Sequence, residues 1–306
     1  MRWNMEDKGL DSLLKESYDL HFHIGPDILP RKHTVEDLVK AEEGRIKGIA
    51  LKSHSFPTIA LINGIEDHMG LDLVGSVTLN YFMGGFNESA IYASSVMSRD
   101  LPIIVWFPTV HAENHLIQNK SDYEIPPEWV KDPSFKPRPK TDLKAIKVTN
   151  WAGKLIRKAN NCLNTMAENE CILATGHVSW REAERLAEEA LDRGITTIIT
   201  HPMQRDIAMP LEKQVELAGK GAYIEYCYIM YLDRDNPGDY PVEEQVNAVE
   251  EIGTDNVVLT SDAGQNKNPG ASQSMRDFVK LLGDKGLGEK DFRRMIVENP
   301  RKILGL

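Results

Sequence analysis

Short runs of aliphatic and β-branched residues recur along the chain, and between them apolar positions fall at helical spacing. Eight runs read as strands, at 18–23, 48–54, 73–80, 102–109, 171–177, 196–201, 222–228 and 257–262. Helical patterns cover 10–15, 34–43, 179–193, 211–218, 242–252 and 274–282. Thr34 opens one of these as an N-cap, and Gly194 and Gly253 follow two others as stops. Strands that alternate with helices over short connections run parallel, because the helix carries the chain back before the next strand begins. Eight such units predict a closed (β/α)₈ TIM barrel of class α/β. No Gly-x-Gly-x-x-Gly or Walker-type loop supports an open nucleotide-binding sheet. Residues 111–145 break the rhythm. They are rich in Pro, Lys and Asp, carry Pro126-Pro127, and read as an insertion after the fourth run. A small hairpin is expected just beyond, from 145–148 and the turn at 150–153. Such insertions sit on the loop face of a barrel, so 111–145 is expected to act as a lid over the mouth.

A barrel of this type takes about 250 residues, so 306 residues fit one domain, 1–306, with insertions. A net charge of −10 argues against a nucleic-acid or anionic-membrane partner held by a basic patch. It leaves room for a small-molecule substrate, anionic or not, in a local pocket. Residues 1–8 carry charges and no apolar core of a signal peptide, and no apolar stretch reaches membrane-span length. Cys162, Cys171 and Cys227 lack Cys-x-x-Cys spacing and read as reduced thiols of a cytoplasmic protein. A homo-oligomer is compatible with all of this.

The first run carries the chemistry. Residues two apart on a strand share a face, so His21 and His23 project together while Leu20, Phe22 and Ile24 face the other way. Two imidazoles on one rigid strand, ahead of Gly25-Pro26, make half of a metal site. Working residues of a parallel barrel gather at the C-terminal strand ends. There His177 ends the fifth run, His201 the sixth and Asp262 the eighth. Each alone has an ordinary explanation: His177 as a helix cap, His201 as a buried hydrogen-bonded histidine, Asp262 as a turn residue. Together the five form the imidazole and carboxylate set that Zn²⁺ and similar ions prefer, with positions left for water.

His-x-His on the first strand, His on the fifth and sixth and Asp on the eighth resemble the amidohydrolase superfamily, with phosphotriesterase-like and TatD-like relatives nearest. The ending Asn299-Pro300-Arg301-Lys302-Ile303-Leu304-Gly305-Leu306 is similar to a tail common there. The resemblance implies one or two divalent metal ions, most readily Zn²⁺, that activate water, with Asp262 as ligand and proton shuttle. Dinuclear members place a carboxylated Lys or a Glu on the fourth strand, whereas this run reads Pro102-Ile103-Ile104-Val105-Trp106-Phe107-Pro108-Thr109. The unusual residue is Lys52, which shares a face with Gly48, Ala50 and His54 and points into the mouth. An ammonium beside a metal is unfavourable. The open alternatives are a neutral amine, a partner for a substrate carboxylate, a carbamate bridging two ions, or an arm to Glu225. His54, His111 and Arg31 are candidate substrate contacts, His54 and His111 toward an oxyanion. His115 reads either as a companion of His111 or as solvated insertion.

The sequence thus points to a metal-dependent hydrolase acting on a small amide, lactone or ester. Its rivals are a single-metal nonhydrolytic enzyme, such as a decarboxylase of the same superfamily, and a barrel with a binding or regulatory role. A complete ligand set favours catalysis over the last.

Overall fold

Parallel strand pairing and intervening helices run through the described residues of the computed structural model, which are 7–126, 136–232 and 240–306. The middle of the expected lid, 127–135, lies outside them. Nine strand segments are described: β1 (Tyr18–His23), β2 (Gly48–Lys52), β3 (Asp72–Val74), β4 (Ser76–Thr78), β5 (Ile104–Trp106), β6 (Ile172–Ala174), β7 (Thr197–Ile199), β8 (Tyr223–Cys227) and β9 (Val257–Thr260). All pairs are parallel, in the orders β1-β2-β3 and β4 through β9.

The third predicted strand is present as two halves, β3 and β4, broken at Gly75. A Cβ there would stand 2.9 Å from the Cβ of Ile59, so only glycine admits the helix Ile59–Ile62 at this distance. Beyond the break, the Ser76 and Thr78 hydroxyls donate to the carbonyls of Leu51 and Ser53, tying β4 to β2. On the opposite side, Asp262 N–H donates to His21 O and His23 N–H to Ala263 O, both at 2.8 Å. These bonds close the ring between β9 and β1, and the fold is a (β/α)₈ barrel.

Alternation sorts the strand residues between two cores. Tyr18, Ala50, Ile104, Trp106, Ala174 and Val258 fill the barrel interior, whereas Phe22, Ile49, Leu51, Val105 and Leu259 pack outward against helices. One expectation fails on β1. Leu20 faces the interior with Tyr18, not outward with Phe22. The β1–β2 register shifts between Asp19 and Phe22, and an extra residue at a bulge breaks strict alternation.

Helix ends follow their caps. Thr34 and Asp37 form a capping box for Val35–Glu42, and Ser179 and Glu182 another for Trp180–Leu191. Gly253, at φ +85°, ends Val242–Ile252. The helices Glu88–Met97 and Arg157–Glu168 were not anticipated. The second buries Ala159, Cys162, Leu163 and Met166, a helical spacing present among polar Asn and Lys residues. The expected turn at 150–153 is there, with Thr149 and Leu155 paired across it. All three cysteines are free and buried. No helix among the described residues is long and apolar enough to cross a membrane.

Candidate metal centre

His23 and Lys52 are the last residues of β1 and β2, while His54, His177, His201 and Asp262 lie two or three residues past β2, β6, β7 and β9. The strands are shorter than the sequence suggests, yet the chain keeps its direction and delivers all these side chains to one mouth. His21 Nε2 and His23 Nε2 stand 3.1 and 3.0 Å from Asp262 Oδ1. Ring centroids lie 5.5 Å apart for His21–His23, 4.8 Å for His23–His54, 6.5 Å for His54–His177, 5.0 Å for His177–His201 and 6.2 Å for His201–His21. Five imidazoles form a closed circuit.

Two imidazoles on one tetrahedral ion, with metal–nitrogen distances of about 2.1 Å, have centroids about 5 Å apart. His21–His23 and His177–His201 meet that spacing, as does His23–His54. Both nitrogens of His201 and Nδ1 of His23 are buried without a hydrogen-bond partner. Each such orphan costs about 1–3 kcal/mol in a protein interior. Burial pushes the His23, His54 and His177 pKa values well down and that of His201 to about 4, so these rings stay neutral with lone pairs available. The residues fit a divalent cation.

Backbone strain collects at the same place. Asp262 (φ +49°) and His201 (φ +27°) lie in the left-handed region, a cost of about 1–3 kcal/mol each for such residues. Asp19 supplies part of what holds Asp262. Its Oδ1 accepts from Ser261 N–H (2.9 Å) and His21 N–H (3.2 Å), and its Oδ2 accepts from the Ser261 hydroxyl. This carboxylate satisfies the backbone that the β1 bulge frees, and it joins the two ligand-bearing strands. Burial pushes the Asp19 carboxyl up to about 7, against those three bonds. Sequence reasoning passed over Asp19. The available signal was a lone acid within an apolar strand, which must find donors when buried.

The sequence matches the model of a family of unknown function, DUF6282, over residues 16–225. The chain belongs to that family. No curated protein matches it. Its fold is similar to an amidohydrolase from Pseudomonas aeruginosa, at 9% identity and TM-score 0.59 over 97% of this chain and 99% of that one. An organophosphorus hydrolase from Deinococcus radiodurans aligns at 12% identity and TM-score 0.57, over 96% and 94%. A phosphotriesterase homology protein from Escherichia coli aligns at 14% and 0.52, over 94% and 98%. At these identities the likeness is one of fold.

In this DUF6282 protein the group behind each histidine decides what the ring offers. Glu225 Oε1 lies 3.0 Å from His21 Nδ1 and also accepts from the Thr260 hydroxyl at 2.9 Å. An ionised carboxylate only accepts, so His21 carries a proton on Nδ1 and presents Nε2 to the mouth; burial opposes a charge on the ring, but the carboxylates of Asp262 and Glu225 raise its pKa. The Thr260 hydroxyl proton is thereby committed to Glu225, so Cys227, 3.2 Å away, donates its thiol proton to Thr260. Burial pushes the pKa of that thiol well up.

Lys52 does point inward, but its hydrogen-bonding neighbour is His21 rather than Glu225. Nζ lies 2.8 Å from His21 Nε2 and 5.1 Å from the centre of the Trp106 ring. Burial lowers the pKa of its amine. Trp106 fills the inward position of β5, the fourth barrel strand, and that strand supplies no anion.

The remaining candidates separate clearly. Arg31 forms a buried pair with Asp27, its Nε and Nη2 reaching Oδ2 at 3.0 and 2.8 Å. His111 accepts from Tyr81 N–H at Nδ1 (3.1 Å) and donates from Nε2 to Glu124 (2.9 Å), so both ring nitrogens hold the start of the insertion in place. His115 belongs nearer the mouth: its ring lies 5.2 Å from that of His177. Next to it, Asn114 donates to the carbonyls of His177 and Asp206. The insertion therefore borders the site through Asn114 and His115.

Proposed function

We propose that this protein is a metal-dependent hydrolase of small amides, lactones or esters. The carrying observation is the convergence of His21 Nε2 and His23 Nε2 on Asp262 Oδ1, at 3.1 and 3.0 Å, beside the unpartnered nitrogens of His201. His21, His23 and Asp262 would hold one ion and His177 and His201 a second. Lys52 would join them as a carbamate, since burial lowers the pKa of its amine and so eases formation of the neutral form that adds CO₂. Bound there, the ions supply Lewis-acid activation of water and of the scissile oxygen. Asp262 takes the proton from the attacking water and passes it to the leaving group. Arg31 stays paired with Asp27 in the first loop, and Asn114 and His115 border the mouth beside His177.

A single-ion, nonhydrolytic enzyme is the second reading, favoured by Trp106 in place of an anion on β5 and by the contact of Lys52 with His21. Metal analysis of the purified chain, together with a panel of esters, lactones and amides, tests the proposal. Near-stoichiometric zinc and turnover of at least one carbon-centred class are expected. A chain with little bound metal after reconstitution refutes it.

A further inference from the structure

His54 has the spacing of a metal ligand but not the hydrogen-bond wiring of one. The wiring starts at Asn80, whose amide has only one workable orientation. One amide atom faces two backbone donors, Thr109 N–H at 3.0 Å and His111 N–H at 3.3 Å, and must be the oxygen. The other is then the NH₂ group, which donates to Thr109 Oγ1 at 2.7 Å and to the His54 carbonyl at 3.3 Å. Thr109 Oγ1 accepts from Asn80, and His54 Nδ1, at 2.9 Å, is its remaining neighbour among the described residues. Asn80, Thr109 and His54 are all buried, so the hydroxyl proton needs an acceptor and His54 Nδ1 provides it. A neutral imidazole that accepts at Nδ1 carries its proton at Nε2.

We infer that Asn80 and Thr109 are positioning residues that lock His54 as an Nε2–H donor facing the mouth, where it hydrogen-bonds a carbonyl oxygen or oxyanion of the substrate. The role of His54 toward substrate rests on the hydrolase reading above; its tautomer does not. His54 is then no metal ligand, although its ring lies 4.8 Å from that of His23. Ligation through Nε2 would require Nδ1–H, which would leave the Thr109 hydroxyl proton buried without an acceptor.

Histidine-selective nitrogen-15 NMR of the metal-free full chain, assigned with His54→Gln, reads the tautomer directly. The expected spectrum has a protonated Nε2 and an unprotonated Nδ1 at His54. Thr109→Ser keeps this pattern, and Thr109→Val mixes or reverses it. A protonated Nδ1 in the wild type, or a Thr109→Val spectrum identical to wild type, overturns the relay. After zinc loading, His54→Gln should keep the wild-type zinc content, and loss of zinc would make His54 a ligand and overturn the inference. Inorganic phosphate serves as a tetrahedral oxyanion probe. It should bind the zinc-loaded His54→Leu variant at least tenfold more weakly than wild type, and equal affinity overturns the donor role. A wild-type chain that shows the Nε2–H tautomer but takes up no zinc refutes the hydrolase proposal and leaves the relay standing.

Discussion

Two sides of the barrel mouth each present a buried imidazole, and they prepare it in opposite ways. On the β8–β9–β1 side, His21 is backed by the Glu225 carboxylate, which accepts a hydrogen bond from Nδ1–H and leaves Nε2 facing the mouth as the nitrogen for an ion. On the β2–β4–β5 side, His54 is backed by the Thr109 hydroxyl, itself fixed by Asn80, which donates a hydrogen bond to Nδ1 and so leaves Nε2–H facing the mouth. Distance alone does not separate the two rings, since each lies near His23. The group one bond further back does: an acceptor makes a ligand, and a pinned donor makes a hydrogen-bond donor.

The largest test of this contrast removes the rings themselves. His21→Ala and Asp262→Ala should lose the ion those residues hold, while His54→Ala keeps the wild-type zinc content, as read by metal analysis of reconstituted protein. Equal zinc loss in all three would erase the difference between the two sides. Next comes Lys52→Ala, which should remove most metal and activity, with partial recovery on adding short carboxylic acids that occupy the vacated space. Full metal content in that variant would assign Lys52 to substrate binding or structure and move the single-ion reading ahead.

The His21 side was largely legible in the sequence, and the His54 side was not. Paired histidines and a late Asp stand out because metals favour few residue types, and strand order places them at one mouth. The Asn80–Thr109 relay uses common residues on different strands, and its meaning lies in proton directions that no spacing encodes. The β1 bulge escaped for a similar reason. Strict alternation put Leu20 outside, and only the register shift, held by Asp19, shows why Leu20 faces inward. The barrel was readable from eight repeats, but not the place where β4 meets the end of β2, where the hydroxyls of Ser76 and Thr78 donate to the carbonyls of Leu51 and Ser53.

Asp19 offers a subtler way to disturb the His21 side alone. Asp19→Asn keeps the oxygen that accepts from the Ser261 and His21 N–H groups but sets an NH₂ group against the Ser261 hydroxyl, which loses its carboxylate acceptor. A loss of about 1–3 kcal/mol in stability is expected from the mispaired buried groups, with zinc affinity down about 10–100-fold, as for other groups that orient ligands. Thermal unfolding and zinc titration measure the two effects. The His54 tautomer should stay as in wild type, and a change there would show that the two sides are not independently built.

The smallest effect lies where the His54 side meets the insertion. His111 follows Thr109 on the same loop and donates to Glu124, which also pairs with Arg138. Burial would raise the Glu124 pKa, but the bonds from His111 and Arg138 outweigh it and hold it at about 2. A carboxyl lowered on folding contributes stability that is complete above its ordinary value of about 4.5 and is lost as pH falls from there toward 2. With Arg138 half exposed, the contribution is about 1 kcal/mol after allowance for solvent screening. Glu124→Gln should therefore melt below wild type near neutral pH, and the gap should narrow as pH falls below about 4.5 and close toward about pH 2, where wild type has lost the same interaction. Zinc content at neutral pH should be unchanged, because no ligand touches this pair. A gap that persists in acid would show that Glu124 acts through packing rather than charge. Lost zinc would show that the insertion reaches across the mouth to the His21 side.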